Sequence, residues 1–92
     1  MIGLYMPKIK KEFVVKNAQG LHARPAAVFV QITSKYNSHV TIFKDEEKVN
    51  GKSIMGILTL GAQKNSKIIV EVDGDDADQV LKEIELFMDR VD

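Results

Sequence analysis

A chain of 92 residues with 13 acidic and 13 basic side chains and no cysteine has room for one domain and too small a core to enclose a deep pocket for a large substrate. The balanced charge excludes a broad cationic field for nucleic acid or a membrane surface, and the missing cysteine excludes disulfides, thiolate chemistry and cysteine-based metal sites. The apolar-rich stretch from Ile54 to Ala62 is far shorter than a membrane span, and the short apolar run at the N-terminus lacks a leading basic segment, so a soluble, cytoplasmic chain is expected.

Residues 1–8 read as an arm ahead of a single domain covering 9–92. Lys11 to Lys16 is rich in β-branched and aromatic residues and predicts a strand. Asn17-Ala18-Gln19-Gly20 predicts a turn, with Gly20 free to take a positive φ. Ala26, Phe29, Val30 and Thr33 fall on one face of a helix, with Pro25 near its start, where a missing N–H is tolerated. The pattern fades near Tyr36-Asn37-Ser38.

His39 to Lys44 alternates, Val40 and Ile42 on one side and Thr41 and Phe43 on the other, as a half-buried strand does. A charged turn, Asp45-Glu46-Glu47, leads to a short strand at Lys48-Val49-Asn50. Asn50-Gly51-Lys52-Ser53 then breaks the chain and offers an N-cap to a short helix, which Gly61 and the polar Gln63-Lys64-Asn65-Ser66 stop. Lys67 to Asp73 predicts a strand with Ile68, Val70 and Val72 on one face. Gly74 turns the chain, Asp75-Asp76 offers a second N-cap, and a final helix runs to about Arg90. Its buried stripe is Val80, Ile84, Phe87 and Val91, widened by Ala77, Leu81 and Met88. The order βαββαβα predicts an α+β domain with the helices on one face of a sheet.

His22 is the first residue with chemistry to offer. It lies between a glycine turn and a helix start, in Gly20-Leu21-His22-Ala23-Arg24-Pro25. The first N–H groups of a helix lack internal partners, and with the helix dipole they make an anion site. Arg24 can aim a planar charged fork at phosphate oxygens, and Pro25 stiffens the helix start. A nucleophilic ring, an anion cradle and a cation this close together describe a covalent phosphoryl carrier; a surface histidine capping a helix is the plainer alternative.

Ser53 is either an ordinary N-cap or a phosphorylation site, where the helix dipole would tolerate the added charge. The helix after it carries Ile54, Met55, Ile57, Leu58 and Leu60, more apolar residues than two turns can bury on one side. Ile57 and Leu60 can face the core, which leaves some of Ile54, Met55 and Leu58 for a partner or for solvent; methionine suits a surface that meets several partners. His39 reads as a surface residue. Asp73, Asp75, Asp76 and Asp78 lack the spacing and the distal glutamate of a calcium loop, so no metal and no cofactor are expected.

Gly20-Leu21-His22-Ala23-Arg24-Pro25-Ala26, followed by Asn50-Gly51-Lys52-Ser53-Ile54-Met55-Gly56-Ile57-Leu58, resembles the histidine-containing phosphocarrier (HPr) family, over nearly the whole chain from Lys11. The resemblance implies an open-faced β-sandwich, a four-stranded antiparallel sheet with three helices on one face. It implies that His22 is the active histidine, phosphorylated at Nδ1 by phospho-enzyme I, which is charged from phosphoenolpyruvate, and that the acceptor is an EIIA-type domain in a sugar phosphotransferase relay. Arg24 and Pro25 match the residues that follow the active histidine. Ser53 matches the serine that an HPr kinase/phosphorylase modifies in many bacteria, and Ile54, Met55 and Leu58 match the docking patch. Such a protein is a carrier rather than a stand-alone catalyst, is expected to be a monomer, and has no call on nucleic acid or membrane. A nitrogen-related or regulatory phosphocarrier, or a binding module switched at Ser53, is the alternative. The N-terminal arm departs from the family pattern.

Overall fold

A computed structural model describes residues 8–90; the rest of the predicted arm, and Val91 of the predicted helical stripe, lie outside them. The elements are β1 (Lys8–Val14), α1 (Ala23–Thr33), β2 (His39–Lys44), β3 (Glu47–Asn50), α2 (Ile54–Thr59), β4 (Lys67–Asp73) and α3 (Ala77–Arg90). The strands form one antiparallel sheet in the order β1-β4-β2-β3. The predicted βαββαβα open-faced sandwich is therefore the fold of the chain.

Period-two patterning explains how the sheet meets the helices. Ile68, Val70 and Val72 of β4 are fully buried. They lie opposite Phe13, Lys11 and Ile9 of β1, and Val70 and Val72 also face Ile42 and Val40 of β2. Against this face α1 lays Ala26, Phe29 and Ile32, α2 lays Ile57, and α3 lays Val80, Ile84 and Met88. Each large side chain removed from water this way contributes about 1.5–3 kcal/mol. The other sheet face is open. There Lys8 and Lys10 flank Glu71 at 3.3 and 3.9 Å, and Lys10 stands over the Phe43 ring. Lysines on an edge strand also discourage pairing with a second chain.

Three expectations need correction. The first strand begins at Lys8, inside the predicted arm, and ends at Val14. Its ladder with β4 runs from Lys8↔Asp73 to Val14↔Lys67, so a lysine-rich segment is held as strand by its partner rather than by its own propensity. On the helices, Ile32 joins the buried face of α1 although the stripe did not include it. Phe87 is only half-buried, resting edge-on against Phe29 with centroids 6.2 Å apart.

The third correction concerns Asp76. It does precede α3, and its carbonyl accepts the Val80 N–H. Its carboxylate, however, reaches across to the α1–β2 connection, where it accepts the N–H groups of Asn37 and Ser38, both at 3.2 Å, and the Ser38 hydroxyl. A neighbouring bridge joins α3 to the same connection: Glu83 accepts from Tyr36 Oη at 2.7 Å and from Lys35 Nζ.

These bonds hold both carboxyls below their ordinary values, Asp76 chiefly through the Ser38 hydroxyl and Glu83 chiefly through Lys35. A carboxylate with a depressed folded-state pKa contributes stability that is fully present above its unfolded value, here 3.8 for Asp76 and 4.5 for Glu83, and is lost as the pH falls through the folded value. Urea denaturation should therefore show stability declining on acidification below about pH 4.5. The deficit of Asp76→Asn relative to the parent should be present at pH 7 and shrink as the pH falls below the unfolded value of 3.8. A deficit that stays constant over that range would contradict the assignment.

Candidate functional site

The loop between β1 and α1 is clamped on both sides. As it leaves β1, the Val15 N–H donates to the Ser66 carbonyl at 2.9 Å and the Val15 carbonyl accepts the Asn65 N–H at 2.7 Å. Gly20 takes φ +72°, and a Cβ there would stand 2.3 Å from the Ala62 carbonyl oxygen. This close approach is open only to glycine, and it lets the next residue, Leu21, donate its N–H to that same oxygen at 2.9 Å. The Leu21 side chain is buried. The chain therefore enters α1 tied to the segment that follows α2.

His22 occupies the N-cap of α1 with extended backbone, and its ring makes no capping bond. The histidine is half-buried and forms no hydrogen bond or ion pair with another described side chain. The plain helix-cap alternative thus has the right position and the wrong bond. Of the first N–H groups of α1, that of Ala26 is used by the His22 carbonyl at 2.9 Å, and Pro25 has none. Those of Ala23 and Arg24 are unpaired among the described residues, and both residues are exposed. Two donors and the positive end of an 11-residue helix thus stand beside an uncommitted imidazole, which is an anion site next to a nucleophile. The Arg24 side chain is exposed and engages no acidic group among the described residues.

Beside this cluster lies an open hollow of about 490 Å³ lined by His22, Arg24 and Pro25 together with Ala18, Gln19, Val28 and Phe87. Sequence reasoning missed the last four. The signal was present for Val28, an apolar residue off the buried stripe of α1. None existed for Phe87, whose spacing on α3 places it in the core.

Helix α2 packs on α1 and begins at Ser53, whose hydroxyl accepts the Gly56 N–H at 2.9 Å. Its start is fixed from below. Buried Thr33 of α1 donates through Oγ1 to the Gly51 carbonyl at 2.9 Å, the Gly51 N–H donates to Val40 at 2.7 Å, and Lys52 Nζ donates to the Tyr36 carbonyl at 2.6 Å. Ile57 is fully buried, Leu60 nearly so, and Leu58 partly, whereas Ile54 is 40 % and Met55 68 % exposed. The structure therefore brings His22, Arg24 and Pro25 together around one hollow, while α2, with its exposed Ile54 and Met55, packs on the same helix α1 and carries Ser53 at the end remote from the Ala62 clamp. Among the described residues no helix is long and apolar enough to cross a membrane.

A small α+β domain that presents an unengaged imidazole beside free main-chain donors and a guanidinium has the equipment of a phosphocarrier. The chain belongs to the HPr family of phosphotransferase-system phosphocarriers: the family described as "PTS HPr component phosphorylation site" matches residues 9–90. Among relatives, the phosphocarrier protein HPr of Xylella fastidiosa is 40% identical over 83 residues, 89% of this chain and 93% of that one. The HPr-like protein Crh of Halalkalibacterium halodurans is 38% identical over 82 residues, 89% of this chain and 98% of that one. HPr from Thermoanaerobacter tengcongensis superimposes with a TM-score of 0.85 at 41% identity, covering 88% of this chain and 91% of that one. A second structure from that organism, described as an HPr dimer, has a TM-score of 0.71 at 43% identity, covering 84% and 88%.

The burial contrast along α2 has a measurable consequence. Met55→Ala should change unfolding stability by no more than about 0.5 kcal/mol, as surface substitutions do. Ile57→Ala, two residues away, should cost about 2–5 kcal/mol. Equal costs in urea denaturation would mean that Met55 belongs to the core.

Proposed function

We propose that the chain accepts a phosphoryl group on His22 Nδ1 from phospho-enzyme I, charged in turn by phosphoenolpyruvate, and passes it to an EIIA-type domain of a cytoplasmic sugar phosphotransferase relay. The observation that carries this reading is the His22 ring at the N-cap of α1, free of any capping bond and next to the unpaired N–H groups of Ala23 and Arg24. In the first transfer the bond from phosphorus to the donor breaks as the bond from phosphorus to Nδ1 forms. The second transfer is the same exchange in the opposite sense, with the acceptor as nucleophile. The main-chain donors and the Arg24 guanidinium balance charge on the phosphoryl oxygens while the group is in transit. Pro25 holds the first turn of the helix that presents them. No step needs a cofactor or a metal.

Docking of both partners is assigned to Ile54, Met55 and Leu58. A histidine beside an open hollow and an exposed apolar patch can be reached by two different partners in turn. One copy of the chain carries the whole set, so a monomer is the proposed working form, and sedimentation of the free protein measures it against a dimer. The domain from β1 onward is taken as the carrier, with the part of the arm before Lys8 outside the chemistry.

Incubation with phosphoenolpyruvate and enzyme I should add one acid-labile phosphate, and His22→Ala should take up none; uptake by that variant would refute the assignment. Arg24→Ala should keep its native fold and slow transfer about 10²–10³-fold, as loss of one preorganised charge does. Unfolding of Arg24→Ala would instead make the arginine a structural residue.

A second reading is favoured by the likeness to the HPr-like protein Crh: a regulatory carrier, of the nitrogen-related or another branch, or a binding module switched at Ser53. An HPr kinase/phosphorylase acting with ATP should then add an acid-stable phosphate that Ser53→Ala does not take up. The phosphate would repel acidic groups on a docking partner and slow the charging of His22. The Ser53→Ala chain should also lose about 1 kcal/mol of stability with its N-cap. Absence of phosphate uptake with that loss of stability would leave Ser53 as a cap alone.

A further inference from the structure

The loop that delivers His22 contains one buried polar side chain that the proposed chemistry does not use. Asn17 is 1 % exposed. Its Nδ2 donates to the Gly20 carbonyl, and its own carbonyl accepts the Gly20 N–H at 3.0 Å. Its Oδ1 has no donor among the described residues. A buried acceptor without a partner is a net cost, so packing by itself favours an apolar side chain of this size. What the amide supplies in return is a single donor aimed at a single carbonyl.

That carbonyl belongs to the peptide unit leading into the site. The Gly20 oxygen also accepts the His22 N–H at 2.9 Å, and the N–H at the other end of the same unit, that of Leu21, is held by Ala62 at 2.9 Å. The Gly20–Leu21 peptide is thus fastened at both ends. Its rotation is governed by ψ of Gly20 together with φ of Leu21, and glycine is the residue type with the least steric resistance to turning. The left-handed turn that brings the chain against Ala62 requires glycine, and glycine supplies no stiffness of its own. Asn17 provides it from outside.

We propose that Asn17 is a positioning residue for phosphoryl transfer: its side-chain amide locks the Gly20–Leu21 peptide and so fixes the angle at which the His22 ring meets a phosphoryl group held by the Ala23 and Arg24 N–H groups. The inference rests on His22 being the phosphoryl acceptor. A nucleophile displaced by about 1 Å can lose about 10²-fold in rate. Asn17→Ala removes the donor together with the unmet acceptor, two changes of opposite sign for stability, so the fold should survive it.

The test is steady-state phosphorylation by enzyme I and phosphoenolpyruvate, with native folding of each variant checked by its amide NMR spectrum. Uptake of one acid-labile phosphate by the parent, and none by His22→Ala, establishes the acceptor separately from anything at Asn17. N17A should then lower kcat about 10–100-fold with KM for this chain unchanged, because the patch on α2 is untouched. N17D gives an independent pH profile. Ionised, it offers no donor to Gly20; protonated, it offers an O–H, so its kcat relative to the parent should rise as the pH falls. In the parent itself, the Asn17 side-chain amide protons should exchange with solvent far more slowly than the side-chain amide protons of exposed Asn65. Parental kcat in N17A, a loss in proportion to its unfolded fraction, a flat N17D ratio, or Asn17 protons exchanging as freely as those of Asn65 would each overturn the proposal.

Discussion

One main-chain contact organises the functional side of this molecule: the Ala62 carbonyl oxygen, against which Gly20 folds and to which Leu21 donates. It joins the loop before α1 to the segment after α2, two stretches some forty residues apart in the chain. Without it the β1–α1 loop would be an ordinary surface connection, free to fray. With it, the helix start that carries His22 is tied to the segment that follows the helix carrying Met55. The contact also explains why the chain spends a glycine at position 20, where a Cβ would drive into the carbonyl oxygen.

The open-faced architecture suits a carrier. All three helices lie on one face of the sheet, so the core is the layer between them, and the opposite sheet face stays in water with its lysines and glutamates. Ile57 and Leu60 go into that layer from α2, while Ile54 and Met55 remain outside. A domain of this size buries comparatively little of its surface, so leaving two large apolar residues of a two-turn helix exposed is a cost, which the proposed docking role would account for. The same economy appears at His22. A ring engaged in capping would stabilise the helix; left unengaged, it can react.

The fold was legible in the sequence where patterning is strong and blurred where neighbours decide. The alternation of Val40 and Ile42, and of Ile68, Val70 and Val72, located β2 and β4 because each strand has one wet and one dry face. The segment from Lys8 to Lys10 has no such signal, since its strand character comes from the β4 ladder. Asp76 shows the limit in another form. Its position before α3 was readable from spacing, but the loop 39 residues back that claims its carboxylate becomes visible only once both ends are in space. At the candidate site, the places of His22, Arg24, Pro25 and Ser53 at helix starts were readable because a helix start is a local property. Asn17 and Ala62 were not, because one acts through burial and the other through a main-chain oxygen, and neither leaves a mark in residue type.

Under the proposed reading, the shortness of α2 would couple the two candidate modification sites. Six residues of helix span about 9 Å, close to one Debye length at physiological salt. A dianion at Ser53 would therefore be felt across the whole proposed docking patch, while the Ala62 clamp keeps the far end of α2 tied to the His22 loop. The Ser53 hydroxyl already accepts the Gly56 N–H, so phosphate oxygens could take over that bond and leave the helix start formed. Under the proposed regulatory reading, a charge at Ser53 would act on docking through the electrostatics of the patch rather than by reshaping the loop that Gly20 and Asn17 hold in place around His22.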